Sequence, residues 1–196
     1  MCVLDDKKNM HSDLQHELIP RSVTLHFIDA LNPVKYELHV AAQQWQLLDD
    51  TDHVPAAPSY TELLQHGADA QALSTGIVKI TADFTRSPHS MNQAGHAVLA
   101  HLAMAALESS RPAPRFLGTA EAAPDVCASP HTRQYREGST VIDHATARAF
   151  LRRASESLSG AVKELESHLE YHRFVSTLTP RKSPAPPPPR PHTHHR

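Results

Sequence analysis

Three stretches of the chain alternate apolar and polar residues, and two others repeat apolar residues every three or four positions. Val23, Leu25 and Phe27 alternate with Thr24 and His26, and Val34, Tyr36, Leu38 and Val40 alternate with Lys35, Glu37 and His39. A period of two marks a strand with one buried face. Residues 22–29 and 34–40 are therefore expected to form a hairpin that turns at Ala30-Leu31-Asn32-Pro33. After Gly76, a third strand is expected over residues 77–84, with Val78, Ile80, Ala82 and Phe84 on one face. Between hairpin and third strand, Ser59 and Glu62 have the capping-box spacing, opening a short helix that Gly67 would end.

The other two patterns are helical. From Met91 to Leu107 the chain is apolar almost all round, interrupted by His96 and His101, with Ser90 and Gln93 spaced as a second capping box. This helix is expected to lie centrally against the sheet. From Asp143 to Phe174 a stripe of Ala147, Leu151, Ala154, Leu158, Val162, Leu165 and Leu169 predicts one long amphipathic helix, or two broken at Ser159-Gly160. The stripe would pack on the domain, or pair with a second copy of itself or with another protein's helix. Residues 109–140 hold four prolines and no sustained period, and read as a long loop. The expectation is an α+β domain over residues 21–174: a small antiparallel sheet packed by a central apolar helix and a long C-terminal amphipathic helix. A mobile lead, 1–20, and a disordered basic Pro/His-rich tail, 175–196, flank it.

Composition narrows the function classes. The 196 residues carry 19 Lys and Arg against 21 Asp and Glu, but the five cations after position 170 face no acid. Residues 1–170, with 14 basic and 21 acidic side chains, sum to -7, and 171–196 to +5. Nucleic-acid binding needs clustered cations to neutralise phosphates, so only the basic tail could supply it. No run approaches the ~20 apolar residues that span a bilayer, and two distant cysteines, Cys2 and Cys127, form no disulfide framework. A cytoplasmic protein without membrane contact or cofactor is expected. The six glycines form no Gly-x-Gly, which argues against a phosphate-cradling loop.

Asn92-Gln93-Ala94-Gly95-His96-Ala97-Val98 resembles the active-site helix of membrane-anchored ATP-dependent zinc proteases, whose pattern is His-Glu-Ala-Gly-His-Ala-Val. In that family two histidines one turn apart bind zinc and the Glu is the general base. Here Asn92 replaces the first ligand and Gln93 the base, leaving His96. The resemblance implies a degenerate, metal-dependent hydrolase-like domain centred on His96, with Asp143 as the nominated acidic ligand. His168 and His172, four apart on one helix face with Glu164 a turn before them, are the other candidate ligands for Zn(II) or Cu(II). Asp125, Cys127 and His131 share one segment but lack a helix start to lower the thiol's pKa.

Seven of the sixteen prolines lie from Pro180 onward. Arg181-Lys182-Ser183-Pro184-Ala185-Pro186-Pro187 has the Arg-x-x-Pro-x-x-Pro spacing. Its prolines suit the aromatic grooves of SH3-type, proline-reading domains, and its cations suit their acidic pocket. Arg181, Lys182, Pro184 and Pro187 are the expected partner-binding residues, and Thr179, before Pro180, is a phosphorylation candidate. The sequence reads as a non-catalytic adaptor that binds partner proteins through an amphipathic helix and this Pro-rich segment.

Overall fold

The computed structural model describes residues 18–47, 58–122 and 130–178. Five α-helices and one 3-10 turn take up most of the described residues, with no strand among them. These are α1 (Arg21–Gln44), α2 (Tyr60–Thr85), the turn Pro88–Met91, α3 (Gln93–Ser110), α4 (Pro112–Ala122) and α5 (Pro130–Leu178). The expected α+β architecture is thus corrected to a helical bundle. The three expected strands lie inside α1 and α2.

The reason lies in which residues are buried. In α1 these are Thr24, Phe27, Ile28, Leu31, Leu38, Ala41 and Ala42, a helical series, whereas Leu25 and Tyr36 from the alternating pattern are 40% and 68% exposed. Pro33, expected in the hairpin turn, sits inside α1, where it removes one intrahelical N–H donor without ending the helix. In α2 the buried positions Leu63, Gly67, Ala70, Ser74, Ile77 and Phe84, with half-buried Thr81 between the last two, follow steps of four and three, and His66, Leu73, Gly76, Ile80 and Ala82 are half-buried beside them. This is the heptad seam of helices packed nearly parallel in a bundle. Val78 points outward. Gly67 does not end a helix. A Cβ there would lie 3.1 Å from Leu117 Cδ2, so the glycine admits α4. The Ser59–Glu62 capping box is present, with Glu62 N–H donating to Ser59 Oγ at 3.2 Å and Ser59 N–H to Glu62 Oε2 at 2.6 Å.

The bundle is organised around α5, which packs along α1, α3 and α4. Its stripe, Ala147, Leu151, Ala154, Leu158, Ala161, Val162 and Leu165, is buried, and Leu169 packs against the same core. The helix continues unbroken through Ser159-Gly160. Gly160 allows close packing with α3, since a Cβ there would lie 2.5 Å from the His101 ring. With α1 the pairing is antiparallel. Arg148 Nε donates to the Ala42 carbonyl at 2.7 Å and its guanidinium to Gln46 Oε1 at 2.7 Å. Further along, the Ser155 hydroxyl meets the Lys35 carbonyl at 3.4 Å, and His172 Nε2 meets that of Ile19 at 2.7 Å. Helices α1 and α2 are also antiparallel, with Phe27 edge-on to Phe84 at one end and Trp45 beside His66 at the other.

Of the stretch 109–140 expected as a loop, residues 109–110, 112–122 and 130–140 are helical. Prolines 112 and 130 stand at helix starts, where a missing N–H costs nothing. Helix α3 packs on α2 and α5 through Val98, Leu102 and Ala105, but Met104 and Leu107 are 49% exposed, so it is not enclosed all round. No described helix is long and apolar enough to cross a membrane.

If the α5 stripe holds the bundle, Leu158→Ala should lower unfolding free energy by about 2–5 kcal/mol. Met104→Ala, on the outward face of α3, should change it by less than about 0.5 kcal/mol. Denaturant titration of both variants measures the contrast.

Candidate functional site

The protease-like segment opens α3, and its local chemistry explains its residues. Asn92 is the N-cap, its side-chain oxygen accepting from Gly95 N–H at 2.7 Å. The cap is therefore Asn92, not the expected Ser90. Ser90 instead lies buried in the 3-10 turn, where its hydroxyl donates to the Ser87 carbonyl at 2.8 Å and the Thr85 carbonyl at 3.0 Å. Gly95 is compelled by that turn, because a Cβ would fall 2.0 Å from the His89 carbonyl oxygen. His96 is exposed on the surface of α3. Asp143 is occupied elsewhere: it accepts from Arg115 at 3.2 Å and from the Thr119 hydroxyl at 2.9 Å, tying α4 to α5. Asn and Gly in this motif thus serve a capped, tightly turned helix entry.

His168 and His172 do lie on one face of α5, but they have different tasks. His172 Nε2 meets a carbonyl, which can only accept, so this nitrogen carries the proton and holds Ile19 at the entrance to α1. His168 lines a cavity of about 510 Å³ with Glu164, Tyr171, Ala94 and Ala97. Burial lowers its pKa, the Glu164 carboxylate opposes that shift, and His172 adds to it. Among the described residues no group of three or more His, Cys, Asp or Glu is placed to hold a metal. Of the Asp125, Cys127 and His131 set, only His131 is described, exposed on α5. Thr179, Arg181, Lys182, Pro184 and Pro187 lie outside the described residues.

The most unusual chemistry lies at the other end of the bundle and was not anticipated. Trp45, His66, Phe116 and His144 come from four helices or their ends and form one aromatic cluster. Trp45 meets Phe116 edge-on at 4.8 Å, Phe116 meets His144 at 4.9 Å, and the two imidazoles are 5.7 Å apart. His144 is 1% exposed. Its Nδ1 faces the Thr140 carbonyl at 3.0 Å and so carries the proton, leaving the Nε2 lone pair buried without a partner. His66 Nδ1 is likewise buried and unpartnered. Burial is the leading cause lowering both pKa values. Asp69 and Glu62 oppose it at His66, while at His144 the Thr140 carbonyl and Asp143 oppose it and His66 reinforces it. One signal was available: the α5 stripe continued one step back from Ala147 lands on His144.

No protein-family model, curated protein or solved structure matches this chain.

Two outcomes follow from these geometries. Asn92→Ala should cost about 0.5–2 kcal/mol as a lost cap, and Gly95→Ala about 1–3 kcal/mol as a backbone collision. Both losses should be the same with and without zinc, as read by thermal unfolding. Separately, the fold favours neutral His66 and His144, so protons bind the unfolded chain more readily. Stability should be full above about pH 6.5, the ordinary imidazole value, and fall as pH drops toward the lowered folded values. His144→Leu should shift stability at pH 7.5 by less than about 1.5 kcal/mol. The same variant should flatten the decline between pH 7 and pH 5.

Proposed function

We propose that this chain is a non-catalytic interaction protein in which a helical bundle presents a Pro-rich, basic segment to a proline-reading domain of SH3 type. The observation that carries this reading is how α5 spends its apolar face. Its stripe is buried within the bundle, covered by α1 and α3, and the described helix runs to Leu178, immediately before Thr179 in sequence. From Thr179 to Arg190 follow six prolines and three cations with no acid. Polyproline II has little backbone freedom to lose, so a small contact yields useful affinity. The cations match the acidic pocket such domains place beside their aromatic grooves. Asn92 and Gly95 support the same reading from the other side, because the residues that look protease-like have structural tasks.

Titration of the full chain into a panel of SH3 and WW domains should find binding of micromolar order, about -8 kcal/mol. Arg181→Glu should weaken it tenfold or more, about 1.4 kcal/mol, and phosphorylation of Thr179 should weaken it as well. Arg196→Glu should leave it unchanged. Absence of binding across the panel, or indifference to Arg181 and Pro184, overturns the proposal.

A further inference from the structure

Helices α2, α4 and α5 meet around three rings, His66, Phe116 and His144, whose centroids stand 5.4, 4.9 and 5.7 Å apart. Trp45, at the end of α1, closes the group, 5.5 Å from His66 and 4.8 Å from Phe116. Inside this aromatic shell His66 Nδ1 and His144 Nε2 are both buried and lack a hydrogen-bond partner. Such an atom costs stability, and here two of them share one cluster. His144 also has the outer contact of a metal ligand. Its Nδ1–H donates to the Thr140 carbonyl at 3.0 Å, which fixes the tautomer and leaves the Nε2 lone pair free, the way proteins orient a metal-binding imidazole. Burial favours the neutral rings, the form that ligates, and Asp69, Glu62 and Asp143 are the carboxylates whose fields reach the pair and favour a cation there.

We propose that His66 Nδ1 and His144 Nε2 together hold one monovalent copper ion. The ring separation suits one shared ion. With a metal–nitrogen bond of about 2.0 Å and about 1.1 Å from nitrogen to ring centroid, two rings stand about 5.1 Å apart at a tetrahedral angle and about 6.2 Å apart in line. The observed 5.7 Å lies between them. The donor set then chooses the ion. Imidazole suits both zinc and copper, but zinc takes four ligands and Cu(II) a tetragonal set. Among the described residues no third His, Cys, Asp or Glu joins the pair. Monovalent copper is satisfied by two nitrogens, and its single charge tolerates apolar walls better than a double one. Trp45 adds the ring face that attracts a cation most strongly. Half-buried His66 forms the entrance, and His144, 1% exposed, the floor. The site stands whether or not the Pro-rich segment binds a partner.

Trp45 is the chain's single tryptophan, so its fluorescence reports on this cluster. The full chain carrying C2S/C127S is titrated anaerobically with Cu(I) kept reduced by ascorbate, because thiolates would take the ion first. One equivalent per chain should quench Trp45 and raise the thermal midpoint. His66→Gln and His144→Leu should each weaken binding about a hundredfold or more, since even a change outside the ligands can cost that much. Competition with a chromophoric Cu(I) chelator measures the loss. H192A/H194A/H195A and H168A should alter neither the quenching nor the affinity, and Zn(II) should leave Trp45 unquenched. Absence of quenching at one equivalent overturns the site, as does quenching that survives either substitution or is lost in H192A/H194A/H195A. Zn(II) bound as tightly through the same two histidines overturns the assignment to copper. Where His144→Leu does not fold, His66→Gln, at a half-buried ring, decides.

Discussion

The burial of the α5 stripe is the contact on which the other helices depend. From Ala147 to Leu165 its small and branched side chains meet α1 on one side and α3 on the other, and Arg115 and Thr119 bind α4 to it through Asp143. Alternation of Ala with Leu lets the neighbours approach closely, and Gly160 extends this by making room for the His101 ring. Remove that surface and α1 loses its main support. Its contact with α2 is open in the middle, and its final carbonyls receive their cation from Arg148 rather than from its own last turn.

The helical half of the architecture was legible, and its reason is length. Seven apolar positions over 23 residues leave one period that fits, so the α5 stripe could be read directly. In α1 and α2 the pattern was ambiguous. Val23, Leu25 and Phe27 are equally compatible with period two and with parts of two helical faces, and only burial shows that Phe27 and Ile28 face inward while Leu25 does not. The seam of α2 was hidden by its own composition. Leu63, Ala70, Ile77 and Phe84 alternate with Gly67, Ser74 and Thr81, small or polar residues that a hydrophobicity count passes over. Pro33, Gly67 and Gly76 then suggested boundaries within what are continuous helices.

The candidate sites divide along the same line between local and assembled signals. The Asn92–Val98 segment had a local pattern, and the structure supplies a local explanation for it, a cap and a backbone approach. The Trp45, His66, Phe116 and His144 cluster had no such pattern, because four distant parts of the chain meet only when the bundle closes. Two imidazoles beside aromatic rings, each with a buried, unpartnered nitrogen, are what such closure leaves.

The antiparallel pairing of α1 with α5 has a consequence for the chain as it is made. Contacts such as Arg148 to Ala42 join residues more than a hundred positions apart, an unusually long separation for a helical protein, in which local contacts ordinarily make folding fast. A ribosome adding about 5–20 residues each second has produced all of α1 well before the first residue of its principal partner exists. For roughly 5–20 seconds Phe27, Leu31 and Leu38 have no α5 to cover them. During that interval α1 must rely on α2, or on a chaperone, to shield the face that the finished bundle hides.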